Sequence, residues 1–199
     1  MKPFQTLPRA AAWRHAGARD GFEVVFFTVS PDGVRAHGST SAVEEGEPWH
    51  VEYDITLDLS WHTRSAWIRS RSSLGVAEIR VESDGVGHWT VNGEPQPLLD
   101  GLYDVDLESS AMTNAFPVHR MDLPLGVSAD APAVYVRAVD LRVERLEQQY
   151  TRTGDTSFDY ASPAFDTYCR LDYDPSGLVV NYPGIAIRES SLLGILAEG

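Results

Sequence analysis

The chain has 199 residues, 43% of them hydrophobic, and 16 Lys and Arg against 29 Asp and Glu leave a formal net charge of −13. That length and apolar content suit one folded domain over residues 1–199, or at most two small ones. The negative charge repels polyanions, so duplex nucleic acid and an anionic bilayer surface are excluded as favoured partners.

From the N-terminus, the stretch Met1 to Gly21 mixes prolines and arginines and has no apolar run of signal-peptide length. No later stretch approaches the roughly 18 apolar residues of a membrane-spanning helix, so no transmembrane segment and a cytoplasmic location are expected. Leu7 to Ala18 is rich in alanine, which predicts a short helix. Phe22 to Val29 is apolar at both parities, which predicts a strand covered on both faces.

The clearest signal follows at Val51, Tyr53, Ile55, Leu57, Leu59 and Trp61, with polar residues between them through Ser60. Period two over this length predicts a long antiparallel strand with one buried face. Weaker versions recur at Ile79 and Val81, Trp89 and Val91, Val105 and Leu107, Val139 to Val143, and Leu171 and Tyr173, and Val134 to Leu146 reads as a second long alternating strand. Between them lie Ser30-Pro-Asp-Gly33, Ser83-Asp-Gly85, Asn92-Gly93, Asp100-Gly101 and Asp174-Pro-Ser-Gly177, whose residues preset turns or accept positive φ. The prediction is an all-β fold: a single domain of curved antiparallel sheet, an open roll or half-barrel, with few short helices. Glu78 to Gly93 and Cys169 to Gly184 share the order strand, acidic turn, strand, glycine. Two pseudo-repeats from an ancient duplication and two independently arisen turns both account for that likeness.

Reactive signatures are missing: no G-x-S-x-G, H-E-x-x-H, phosphate loop, C-x-x-C or dinucleotide fingerprint occurs, so no catalytic residue and no cofactor are assigned. The six histidines are scattered without a ligand-like pair, and no metal site is expected. The single cysteine, Cys169, precludes an internal disulfide and fits a reducing compartment.

The densest polar constellation runs from Asp104 to Arg120. In a strand Asp104, Asp106 and Glu108 share one face, about 6–7 Å apart, opposite Val105 and Leu107. Such a row suits a cation, acid–base chemistry or sugar hydroxyls, and it equally suits a solvated strand face. Thr113 and Asn114 then hold a nonregular turn, Pro117 fixes φ, and Arg120 either pairs with Asp104 or Asp106 or faces an anionic ligand group.

Here the sequence resembles the bacterial "putative glycolipid-binding" family, a domain of unknown function. Asp104-Val105-Asp106, Thr113-Asn114, Pro117 and Arg120 carry the resemblance, which runs from about Trp13 to Arg188. Further matches are Trp13, Gly21-Phe-Glu23, His37-Gly38, Trp61, Gln148 or Gln149 with Tyr150, Phe158-Asp-Tyr160, and Gly177-Leu-Val with Tyr182-Pro183. The family implies a curved sheet shaped like lipoprotein-localisation carriers, and a lipid or glycolipid as partner. It names no catalytic residue.

Together these readings give a lipid- or glycolipid-binding carrier in which Tyr53, Ile55, Leu57, Leu59 and Trp61 line the cavity of the apolar tail or lie beneath it; the same five residues equally suit a closed core. Its ligand-binding candidates are Asp104, Asp106, Thr113, Asn114, Arg120, Trp61, Tyr150, Tyr160 and Tyr182. The alternatives are a hydrolase-like enzyme with Asp104 and Asp106 as acid and base on a sugar- or acyl-containing substrate, and a non-catalytic interaction module using an exposed strand edge. Ligand identity and oligomeric state stay open.

Overall fold

The structure, a computed structural model, describes residues 4–189. Met1 to Pro3, part of the stretch read as lacking a signal segment, lie outside the described residues. Six strands form an antiparallel meander: β1 (Ala10–His15), β2 (Asp20–Ser30), β3 (Gly33–Glu44), β4 (Glu47–Leu57), β5 (Thr63–Ser72) and β6 (Gly75–Ser83). Short β7 (Trp89–Val91) and β8 (Glu94–Pro95) extend it to one edge. The chain then leaves this sheet through β9 (Asp104–Leu107) and α1 (Ala115–Met121), the one α-helix among the described residues. After β10 (Ser128–Asp130) come the hairpin strands β11 (Ala133–Val136) and β12 (Val143–Leu146). A second meander follows: β13 (Gln149–Arg152), β14 (Ser157–Ser162), β15 (Thr167–Tyr173), β16 (Val179–Tyr182) and β17 (Ala186–Arg188).

The large sheet has 14 strands in the order β10-β13-β14-β15-β16-β17-β1-β2-β3-β4-β5-β6-β7-β8. β1 is the seam, pairing with β2 on one side and with β17 on the other. The other sheet, β12-β11-β9, contains a parallel β9–β11 pair. Its inward residues Val105, Leu107, Val134 and Val136 join Tyr53, Ile55 and Ile68 of the large sheet, with Met112 and Phe116, in one core. A smaller core gathers Val118 and Leu123 against Tyr150, Phe158, Tyr160, Leu171 and Tyr173. The curved all-β prediction thus describes the chain.

β4 behaves as its alternation requires: Val51, Tyr53, Ile55 and Leu57 are buried and the residues between them are not. Tyr53 lies against Gly38 across the strand pair, where a Cβ would stand 2.6 Å from the ring, so glycine there is a packing requirement. Four expectations are corrected. Leu7 to Ala18 is not helical; Ala10–His15 forms β1, with Ala11, Trp13 and His15 turned inward. Pairing with strands on both sides outweighs the helical preference of three alanines. β2 is covered on one face only, with Phe22 46% and Phe26 57% exposed while Val25 is fully buried. The long alternating strand stops at Leu57, leaving Leu59 exposed and Trp61 in the following turn. Val134 to Leu146 is the β11–β12 hairpin and not one strand.

Three turns share one chemistry. Oδ1 of Asp58 accepts the amides of Ser60 (2.9 Å) and His62 (3.0 Å). Asp84 does the same for Val86 (2.9 Å) and His88 (3.1 Å), and Asp174 for Ser176 (2.8 Å) and Leu178 (3.1 Å). Each turn places its fourth residue in the left-handed region, Trp61 at φ 64°, Gly87 at 101° and Gly177 at 77°. The likeness between Glu78–Gly93 and Cys169–Gly184 is therefore a likeness of turn chemistry. The turn at Asp58 repeats it without a glycine.

Candidate functional site

β9 pairs in parallel with β11, which fixes its parity: Val105 and Leu107 enter the core, while Asp104 and Asp106 share the opposite face. Each carboxylate of the row then meets a different partner. Asp104, 1% exposed, is clasped by Arg120, whose Nε lies 2.9 and 3.1 Å and Nη2 2.6 Å from its oxygens. Asp106 accepts hydrogen bonds from the Thr113 hydroxyl at 2.9 Å and the Gln148 amide at 2.5 Å. Glu108 accepts the Ala138 amide at 2.8 Å and lies 3.5 Å from Arg137. Burial raises Asp104 despite Arg120, and burial, with Asp104 and Glu108 adding to it, pushes Asp106 up to about 6. Asp104 is thus withdrawn from solvent, contrary to a fully solvated row.

Thr113 and Asn114 occupy the 3-10 turn Met112–Asn114 that leads into α1. Asn114 accepts the Tyr150 hydroxyl at 3.0 Å through its side chain and the Tyr173 hydroxyl at 3.1 Å through its carbonyl. This turn ties β9 to the second meander, and between them opens a cavity of about 270 Å³. Its polar wall is Arg19, Glu44, Asp106, Glu108, Ser110 and Asn114. Its apolar and aromatic wall is Leu107, Tyr135, Leu146, Tyr160, Phe165 and Tyr182. Arg19 donates to the Glu108 carbonyl at 2.8 Å and lies over the Trp49 ring at 5.4 Å.

Of the residues singled out from the sequence, Asp106, Asn114, Tyr160 and Tyr182 line this cavity. Thr113 and Tyr150 stand behind it, bonded to Asp106 and Asn114. Asp104 and Arg120 satisfy each other away from the lining, so the two aspartates do not face a common space as an acid–base pair. Trp61 stacks on His119 with centroids 3.6 Å apart. Of the two readings of the apolar row, the closed core describes Tyr53, Ile55 and Leu57, while Leu59 faces solvent and none of them lines the cavity.

The sequence reading missed Arg19, Glu44, Ser110, Tyr135, Leu146 and Phe165, which reach the cavity from separate elements and share no local pattern. It also missed the role of Glu23, which is fully buried and accepts the Tyr53 hydroxyl at 2.5 Å, the Ala111 amide at 2.9 Å and the Ser110 hydroxyl. A signal existed, since Glu23 is a carboxylate at the inward parity of β2, in phase with Val25. Among the described residues no cluster of three His, Cys, Asp or Glu is placed to hold a metal ion, and no helix is long and apolar enough to cross a membrane.

Fold and cavity define the class: an all-β protein built on one large curved antiparallel sheet, with a mixed polar and aromatic cavity beside its second meander. Residues 10–188 match the family described as "Putative glycolipid-binding", and the chain belongs to that family. It is similar to the crystal structure of a DUF1089 family protein from Pseudomonas aeruginosa, with 30% identity, a TM-score of 0.78, and coverage of 95% of this chain and 100% of that one. No curated protein matches the chain.

Proposed function

We propose that the protein binds a small amphiphile of glycolipid type, with its polar head against Asp106 and Asn114 and the start of its apolar tail against Leu107, Leu146 and Phe165. The observation that carries this reading is the joining, in one cavity, of aromatic and aliphatic surface with converging carboxylate, amide and hydroxyl groups. At about 270 Å³ the space lies just below the ~300–1,000 Å³ range of small-molecule sites, so it takes a head group and a short length of tail. Each methylene removed from water there adds about 0.8 kcal/mol. Thr113 and Tyr150 act as positioning residues, orienting Asp106 and Asn114.

Two measurements test the proposal. Denaturing organic extraction of the purified protein, followed by mass spectrometry, should release near-stoichiometric amphiphile. Octyl glucoside should raise the melting temperature of stripped protein, and Thr167→Trp, which narrows the cavity at its partly exposed rim, should abolish the increase. Empty extracts combined with no thermal response overturn it.

A further inference from the structure

We propose that the head group bound in this cavity carries a protonated amine, seated between the Asp106 carboxylate and the rings of Tyr160 and Tyr182. The proposal rests on the cavity being a ligand site and names the chemistry it selects.

The charges around the wall lead to it. Three carboxylates line the cavity: Glu44, Asp106 and Glu108. Glu108 has Arg137 at 3.5 Å and Glu44 has Arg19 at 3.9 Å. Asp106 has only the neutral donors Thr113 and Gln148, and among the described residues no cationic side chain forms an ion pair with it. Arg19, the one arginine on the wall, donates through Nη1 to the Glu108 carbonyl and lies over the Trp49 face, with its Nε buried and without a hydrogen-bond partner, and it forms no ion pair with Asp106. One carboxylate of the cavity thus keeps an unmatched charge in a partly dehydrated place, an arrangement that a cation relieves.

The aromatic wall adds the same sign. Tyr160 and Tyr182 meet edge to face with centroids 5.8 Å apart, and both line the cavity. The electron-rich faces of such rings attract ammonium groups, as in the aromatic cages that hold alkylammonium ligands. The field of Asp106 is felt at both phenols, where it helps to keep them protonated. An anionic head would meet the carboxylates, and an uncharged sugar would leave the charge of Asp106 unmatched. Amino sugars and alkylamines answer both features of the wall.

The test uses the full chain and three probes with the same eight-carbon tail: octylammonium, octyl glucoside and octanoate, titrated by calorimetry at neutral pH. Octylammonium should bind roughly ten- to a hundredfold more tightly than octyl glucoside, the range for one charge-assisted hydrogen bond, with octanoate weakest. Asp106→Asn keeps the shape of the side chain and should bring the ammonium-to-glucoside ratio toward one. Tyr182→Leu, which keeps the carboxylate and removes one ring, should lower the same ratio in part. Octyl glucoside equal to or tighter than octylammonium in the natural protein, or a ratio unchanged by both substitutions, overturns the amine while leaving ligand binding standing. Failure of all three probes to bind overturns the reading beneath it.

Discussion

Burial moves two titrations in opposite directions on either side of the 3-10 turn. Asp106 is pushed up to about 6, and His119, desolvated against Trp61 and Phe4, is pushed down to about 4. Between about pH 4 and 6 the folded chain binds the Asp106 proton more readily than the unfolded chain does, so this carboxyl's contribution to stability is present at low pH and lost as pH rises. For His119 the unfolded chain binds the proton more readily below its ordinary 6.5, so stability is lost as pH falls. Each shift is worth on the order of 3 kcal/mol, and across this window the two nearly cancel. Asp106→Asn removes one side of the balance. Its unfolding free energy relative to the natural protein should rise by about 3 kcal/mol from pH 4 to pH 7, read by urea denaturation at fixed temperature. A difference that does not change with pH would place Asp106 in water. At this scale the sequence showed the shared face of Asp104 and Asp106 because strand parity is local. Which of them Arg120 would take, and which would face open space, depended on α1 folding back over β9, and no spacing encodes that.

Turn chemistry was the most legible layer, because an aspartate followed by proline, serine or glycine acts within five residues. Hairpins at Ser30–Gly33, Asn92–Gly93 and Asp174–Gly177 formed where they were expected. Asp100–Gly101 instead ends a 3-10 turn at Pro97–Leu99 and leads toward β9. The Asp58 turn was hidden because Trp61 takes the left-handed place usually given to glycine, at a cost of about 1–2 kcal/mol that stacking on His119 helps to offset. The Nε2 edge of His119 is closed by Gly177, where an added Cβ would stand 2.3 Å from Nε2. Gly177→Ala therefore combines backbone strain with a collision and should destabilise by about 3 kcal/mol or more. Gly93→Ala, at φ 83° with nothing within 4 Å, meets the strain alone and should lose about 1 kcal/mol. Equal losses in thermal or urea unfolding would show that the imidazole is not gripped between the two turns. The β1 error has the opposite origin: three alanines carry a weak intrinsic preference, and pairing on both flanks decides the outcome.

For the molecule as a whole, the two meanders were visible as runs of hairpins, but their joining was not. β1 lies between β2 and β17, so Trp13 pairs with Arg188, and nothing local announces a contact between residues so far apart. The guanidinium of Arg188 also lies over the Trp13 ring at 4.8 Å. Ile187→Pro breaks this seam, since Ile187 lies in the middle strand between Arg14 and Asn181, where proline removes a ladder donor and its ring crowds the neighbouring strand. The variant should lose several kcal/mol in urea unfolding and become sensitive to limited proteolysis in both meanders. An unchanged midpoint would mean that the halves hold together through β9 and α1 alone. The outermost strands have a further consequence. β8 is two residues long and ends in Pro95, and β10 is three residues long and carries Asp130. A foreign backbone arriving at β8 or β10 finds almost no ladder to extend, so stacking of whole molecules rim to rim through these two strands is disfavoured.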